Sequence, residues 1–374
     1  MHDIVIQEMI PYFKEQYGNP SSIHKYGRLA NSAIQNSRKQ IAALINATPE
    51  EIFLTSGGTE SNNTAIHGVT SLSKGKHVIT SSIEHDAILE PCRFLEQQGY
   101  KISYLPVDKY GMINPEDVWK EITSETSLIT IMYANNEVGT IQPINEIAKI
   151  AQEKKIPFHT DAVQAVGKTP IDVKKDDIDL LSISSHKING PKGVGALYIR
   201  KGVKISPLIL GGGQENGLRS GTENVASIVG FGVACKIARE NMIQNANHFK
   251  NLTTKLANRI LNEIPDTRLN GHPEKRIPNN THFTFLGVNG EDLIIKLDEY
   301  KIAASTGSAC SVRIQKASHV LKAMGFSHEQ ITGSLRLTVG ITNTESEIDE
   351  TVNVLKQVVK ELRAVSPYKS KYNF

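Results

Sequence analysis

The chain has 374 residues, 39% of them hydrophobic, enough for a large core and, by length, for two domains. Its 42 basic and 39 acidic residues leave a net charge of +3, which argues against a strong nucleic-acid or anionic-membrane partner. No apolar run approaches the roughly eighteen residues of a membrane span, and the N-terminus lacks the basic start and cleavage site of a signal peptide.

Taken in chain order, helical and strand patterns alternate from about residue 40. QIAALINA reads as helix, and EIFLTSGG as a short strand entering a glycine turn. KHVITSSIEH is a strand, ILEPCRFLEQQG a helix and KISYLPV a strand. SLITIMYANNEVG is an apolar strand ending in polar residues; the helix INEIAKIAQEKK and the strand IPFHTDAV follow. DIDLLSISSHK, GALYIRK and a helix after Glu223 continue the series. Such alternation predicts an α/β fold, a mainly parallel sheet covered by helices on both faces. After about residue 245 two long amphipathic helices bracket THFTFLGV and SLRLTVGI, which reads as a smaller α+β domain. The expected division is 15–245 for the large domain and 246–374 plus 1–14 for the small one.

Polar residues collect where the strands end: Ser56 to Thr59, Glu84 and His85, Asn135 and Asn136, Asp161 and Gln164, and Ser184 to Lys187. Ligands of open α/β sheets bind outside the carboxyl ends of the strands. The turn SGGTE, between strand and helix, offers backbone N–H groups to a phosphate, though it also serves as a tight connection; it is neither a Walker motif nor GxGxxG. Asp161 and Lys187, each at a strand end, suit a pyridoxal phosphate enzyme, in which the lysine bonds to the aldehyde and the aspartate keeps the ring nitrogen protonated. They equally suit a half-buried ion pair or two solvated tips. His85 has a ring to stack or a proton to shuttle, or a structural hydrogen bond to make.

Three cysteines, far apart and odd in number, form neither a disulfide framework nor a CxxC metal site; a reducing, cytoplasmic setting and no metal are expected. Cys92 and Cys235 sit in amphipathic helical patterns and read as core. Cys310 lies in a small and polar loop, STGSACSVRIQKASHV, where Arg313 would favour a thiolate. Arg336, inside the apolar SLRLTVG, calls for a partner, and a carboxylate is one fit for its fork. Arg219 is either a surface-loop charge or an anion contact across a subunit boundary.

Read together, YGNPSSIHKYG, TSGGTESNN, SSIEHDAI, NNEVGTIQPI, HTDAVQAVGK, SSHKINGPKGVGALY, GGGQENGLRSGTEN and STGSACSV resemble the cysteine desulfurases of the class V aminotransferase family. The motifs occur in the family's order over about residues 9–365, and the SGSAC loop marks the first of its two groups. The resemblance implies a fold-type-I pyridoxal-phosphate-dependent homodimer that removes sulfur from L-cysteine, leaving alanine and an enzyme persulfide. The acceptor would be an iron–sulfur scaffold or a thiolation enzyme. By the same resemblance Lys187 would carry pyridoxal 5′-phosphate, Asp161 would face its ring nitrogen, Gln164 its phenolic oxygen, and His85 would stack on the ring and move protons. Gly58, Thr59, Ser184 and His186 would hold the phosphate, with Thr222 contributed from the other subunit. Asn136 and Arg336 would hold the substrate carboxylate, and Cys310 would take the sulfur. A strand usually precedes the family's first helix, here IVIQEMIPYF, and Met1 stands about where that strand ends. On the same scaffold a selenocysteine lyase or an aminotransferase is the nearest alternative, although transamination requires no thiol; a non-catalytic sulfur-transfer scaffold is the more distant one.

Overall fold

The computed structural model describes residues 1–307 and 317–367, which cluster into two compact units. Unit 1 comprises Met1–Leu105, Asn114–Tyr133 and Pro143–Met242; unit 2 comprises Pro106–Ile113, Ala134–Gln142 and the chain from Ile243 onward. Residues 1–14 therefore group with unit 1, because the helix they form packs on another helix of that unit. Segments 106–113 and 134–142 group with unit 2 although the chain around them belongs to unit 1.

Unit 1 opens with α1 (Asp3–Lys14) and α2 (Lys25–Leu44), the latter started by His24, whose ring accepts the Gly27 N–H. There follow β1 (Ile52–Thr55), α3 (Gly58–Thr70), β2 (His77–Ser81), α4 (Asp86–Gln97) and β3 (Lys101–Leu105). The series continues with α5 (Pro115–Glu121), β4 (Thr126–Thr130), α6 (Ile144–Lys154), β5 (Phe158–Asp161), β6 (Leu180–Ser184), β7 (Gly195–Ile199) and α7 (Val225–Glu240). The seven strands form one sheet in the order β1-β7-β6-β5-β4-β2-β3. Strands β6, β5, β4, β2 and β3 are mutually parallel, and β7 runs antiparallel to both β1 and β6. The sheet is thus mainly parallel, as its alternating pattern predicts, with one reversed strand.

Every residue of β2, β5, β6 and β7 is buried, the mark of a sheet covered on both faces, whereas β3 at the edge is half open. One layer is stitched by Ala65, Ile66 and Val69 of α3 and Ile88, Cys92 and Leu95 of α4 against Val78, Leu128, Leu180 and Leu197. Elsewhere in the unit, α7 packs on α1 and α2.

Unit 2 contains α8 (Met242–Glu263), β8 (Thr267–Asn270), β9 (Asn280–Phe285), α9 (Gly290–Glu299), α10 (His319–Ala323), α11 (His328–Thr332), β10 (Ser334–Thr338) and α12 (Glu345–Ala364). Its strands form an antiparallel sheet in the order β10-β9-β8. Phe283, Phe285, Leu335 and Leu337 meet Leu252, Leu256 and Ile260 of α8, Leu293 and Leu297 of α9, and Val352 and Leu355 of α12. A capping box at Thr344 and Glu347 starts α12. Among the described residues, no helix is long and apolar enough to cross a membrane.

Candidate active site

In unit 1, β1 is parallel to β6, both being antiparallel to β7, so the carboxyl ends of β1, β2, β4, β5 and β6 share one edge of the sheet. Nearly all the chemistry-bearing residues of this unit follow those ends.

After β1 the chain turns at Gly57 with φ 153° and ψ −177°, a conformation open essentially to glycine alone. Helix α3 then begins at Gly58 without a side-chain cap, leaving its first N–H groups for an anion. A Cβ at Gly58 would stand 2.7 Å from Val163 Cγ2, so glycine lets the helix start close against the chain leaving β5.

After β6 a 3₁₀ turn, Ser185–Ile188, carries Lys187, and Ser184 Oγ lies 2.8 Å from His186 Nδ1. Lys187 and His186 are exposed. Desolvation of its ring and the nearby Lys187, Lys192 and Lys168 cations lower the pKa of His186.

Asp161 ends β5 and is 8% exposed. Its Oδ1 accepts the Val163 N–H at 2.9 Å and its Oδ2 the Asn62 side-chain amide at 2.7 Å. Among the described residues it forms no ion pair, so the reading of an Asp161–Lys187 pair gives way to a carboxylate held by two neutral donors. Asn62, four residues beyond Gly58 on α3, is a partner the sequence reading missed; TESNN showed only a helix following the turn. Gln164 accepts from Lys168 Nζ through its side-chain and main-chain oxygens, at 3.3 and 3.0 Å.

His85 is the N-cap of α4, and its Nδ1 accepts the Ala87 N–H at 3.0 Å. A neutral His85 therefore carries its proton on Nε2. The preceding Glu84 is fully buried, and its Oε1 accepts from Ser81 Oγ at 2.6 Å and Met132 N at 2.9 Å, tying β2 to the segment after β4. Burial, with a smaller push from the Asp161 charge, raises its pKa to about 8, so it holds a proton at neutral pH. The sequence reading placed Glu84 in a strand-end cluster but gave it no role.

Thr222 is exposed. Arg219, near it in sequence, grips Glu60 of the same chain with Nε to Oε1 at 2.9 Å and Nη2 to Oε2 at 3.3 Å. Its partner is a carboxylate of α3, which the sequence left open.

In unit 2, Arg336 stands on β10 opposite His282 of β9. Its Nη1 donates to the Asn136 carbonyl at 2.8 Å and the Gly307 carbonyl at 3.3 Å, and its main chain bridges to Ser305. Ser318 Oγ, which caps α10, donates to Glu137 Oε2 at 2.6 Å. Cys310 and Arg313 lie outside the described residues. Cys92 and Cys235 are fully buried as expected. The Cys92 thiol is pushed up to about 12 by burial and by the Glu84 and Glu96 carboxylates, and burial alone pushes Cys235 well above its ordinary value. Both are poor nucleophiles.

The family model for aminotransferase class-V matches residues 2–351, and the chain belongs to that family. Within it, the chain is 52% identical to cysteine desulfurase IscS of Methanosarcina thermophila over 97% of its own length and 90% of that protein's. A solved NifS-like protein superimposes with a TM-score of 0.91 at 39% identity, covering 96% of both chains. SspA in complex with cysteine superimposes with a TM-score of 0.80 at 38% identity, covering 91% of this chain and 95% of that one.

Proposed function

We propose that the chain is a pyridoxal-phosphate-dependent cysteine desulfurase whose cofactor is held by the strand ends of unit 1. The cofactor fits what stands there: a fixed carboxylate, an exposed lysine, and an uncapped helix start, with a Ser184–His186 pair after β6. The single observation carrying this reading is Asp161, a buried acid at a strand end held at both oxygens by neutral donors.

Bound there, pyridoxal phosphate supplies an electron-withdrawing ring that acidifies the substrate's α-proton and weakens its bond to sulfur. Lys187 would hold the cofactor through its aldehyde and would move the substrate's α-proton. Asp161 keeps the ring nitrogen protonated, and Gln164 contacts the phenolic oxygen. Gly58, Thr59, Ser184 and His186 bind the phosphate, with Thr222 supplied by a second copy. His85 would stack on the ring, and its Nδ1 can take a proton only on releasing the Ala87 N–H. Asn136 and Arg336 bind the carboxylate of L-cysteine, with backbone carbonyls anchoring Arg336 through Nη1.

The Cys310 thiolate then attacks the substrate sulfur: a sulfur–sulfur bond forms, the carbon–sulfur bond breaks, and protonation leaves alanine and a persulfide for an acceptor protein. An iron–sulfur scaffold or a thiolation enzyme is the acceptor in this reading. A homodimer belongs to it as well, supported by Leu208, Ile209 and Leu210, exposed in a row ahead of the Thr222 segment. So does a cytoplasmic setting.

Incubation with L-cysteine should add the mass of one sulfur atom to the Cys310 peptide, with alanine as co-product. Sulfide release at a near-normal rate by Cys310→Ala would refute it.

A further inference from the structure

Glu60 is an oddity in the site. It puts a carboxylate in the first turn of α3, beside N–H groups suited to an anion, where its charge opposes a phosphate. The carboxylate does not cap those groups. Its Oε2 accepts the Ser56 N–H at 2.9 Å, one residue before the glycine turn, and both its oxygens face the Arg219 guanidinium. The side chains are 10% and 26% exposed, so solvent screens the pair only in part.

Burial opposes ionisation of Glu60, but hydrogen bonds from Arg219 and Ser56 outweigh it and lower its pKa. Arg219 is also close to the charges of Glu215 and Glu223, and Glu215 is itself paired with Arg38 at 2.7 Å. A cavity of about 210 Å³ lies against this cluster, lined by Ser56, Gly193, Arg219 and Thr222 among others.

We infer that Glu60 and Arg219 are a positioning pair for the phosphate-binding turn: Glu60 holds Ser56 so that the Gly57–Gly58 turn keeps its shape, and Arg219 cancels the charge that would otherwise repel the phosphate. The pair also ties the turn to the segment carrying Thr222. This rests on the pyridoxal phosphate reading above. Its signature is a pattern of signs. Removing Arg219 alone strands a carboxylate beside the phosphate, removing Glu60's charge alone does not, and removing both takes away one charge of each sign while a glutamine at 60 still accepts from Ser56.

The experiment is a titration of the full-length apoprotein with pyridoxal phosphate, followed by the absorbance of the bound cofactor, at low and high salt. Arg219→Gln should weaken binding about tenfold, the scale of one charge-assisted hydrogen bond, and less in high salt. Glu60→Gln should stay within about threefold of wild type, and the Glu60→Gln/Arg219→Gln double variant should recover to the same range. Unchanged binding in Arg219→Gln, or a double variant as weak as Arg219→Gln, overturns the pair. Should Arg219→Gln fail to fold, Arg219→Lys decides: its retained charge should keep binding within about threefold, and a tenfold loss overturns the electrostatic role. A wild-type apoprotein that binds no pyridoxal phosphate refutes the cofactor reading instead.

Discussion

The two units hold their polar residues in different ways. In unit 1 the candidate chemistry sits after the strands, on turns: Ser56 to Thr59 beyond β1, His85 beyond β2, and Lys187 beyond β6, while one buried polar row within the strands, Thr130, His159 and Ser182, satisfies itself. In unit 2 it sits inside the strands. His282 and Thr284 project from the face of β9 opposite Phe283 and Phe285, and the Asn270 amide contacts both at 2.9 Å. Arg336 pairs directly with His282 across the sheet. Unit 1 is therefore a scaffold with side chains added at its rim, tolerant of change there. Unit 2 sets Arg336 beside a polar layer built into its fold, so altering Arg336 disturbs structure as well.

Four substitutions sharpen or break that contrast. The largest effect belongs to the rim: Lys187→Ala should lower desulfuration by roughly a thousandfold or more, with a thermal midpoint close to wild type. Equal losses of activity and stability would contradict the rim description. Next, Arg336→Lys should raise KM for L-cysteine by about ten- to a hundredfold and destabilise unit 2 as well, because an ammonium cannot keep both carbonyl contacts and a carboxylate. Steady-state kinetics and denaturant titration read the two consequences separately.

Leu335→Ala, in the unit 2 core and fully buried, should cost about 3 kcal/mol of stability, with KM and kcat of the folded fraction near wild type. The smallest effect is a slope. Glu84 has an unfolded value of 4.5 and a folded value of about 8, so between those pH values the folded chain keeps a proton that the unfolded chain has lost. Its contribution to stability is full below 4.5 and fades as pH rises through 8. Glu84→Gln should flatten that decline. His159 in unit 1 and His282 in unit 2 act oppositely: burial lowers both to about 3, so each makes the chain lose stability as pH falls below 6.5.

The same contrast explains what could be read in advance. The sheet strands of unit 1 were legible because burial on both faces leaves short, mostly apolar runs such as LLSIS and GALYI, bounded by polar turns. Its candidate site residues stood out because strand ends concentrate polar side chains. The reversal of β7 was not: one strand's direction is decided by the turn from Lys187 to Gly193, and a buried parallel strand and a buried antiparallel one have the same pattern.

Strand β8, TRLN, has too little periodicity to notice, and it pairs because β9 presents an edge to it. Asn62 and Glu60 stood only within their motif and Glu84 only in a strand-end cluster, since a hydrogen bond spanning a hundred residues, such as Asn62 to Asp161, leaves no local mark. The grouping of 106–113 and 134–142 with unit 2 was hidden for a related reason: Gln142 binds the backbone of Gly111 and Ile113, and neither segment shows a change of composition at its borders.

The most direct test of the account reduces the cofactor-loaded protein with borohydride, digests it and maps the modified peptide. The account predicts one pyridoxyl-phosphate group per chain, on Lys187. Modification of Lys168 or Lys192 in its place, or of no lysine at all, would contradict it.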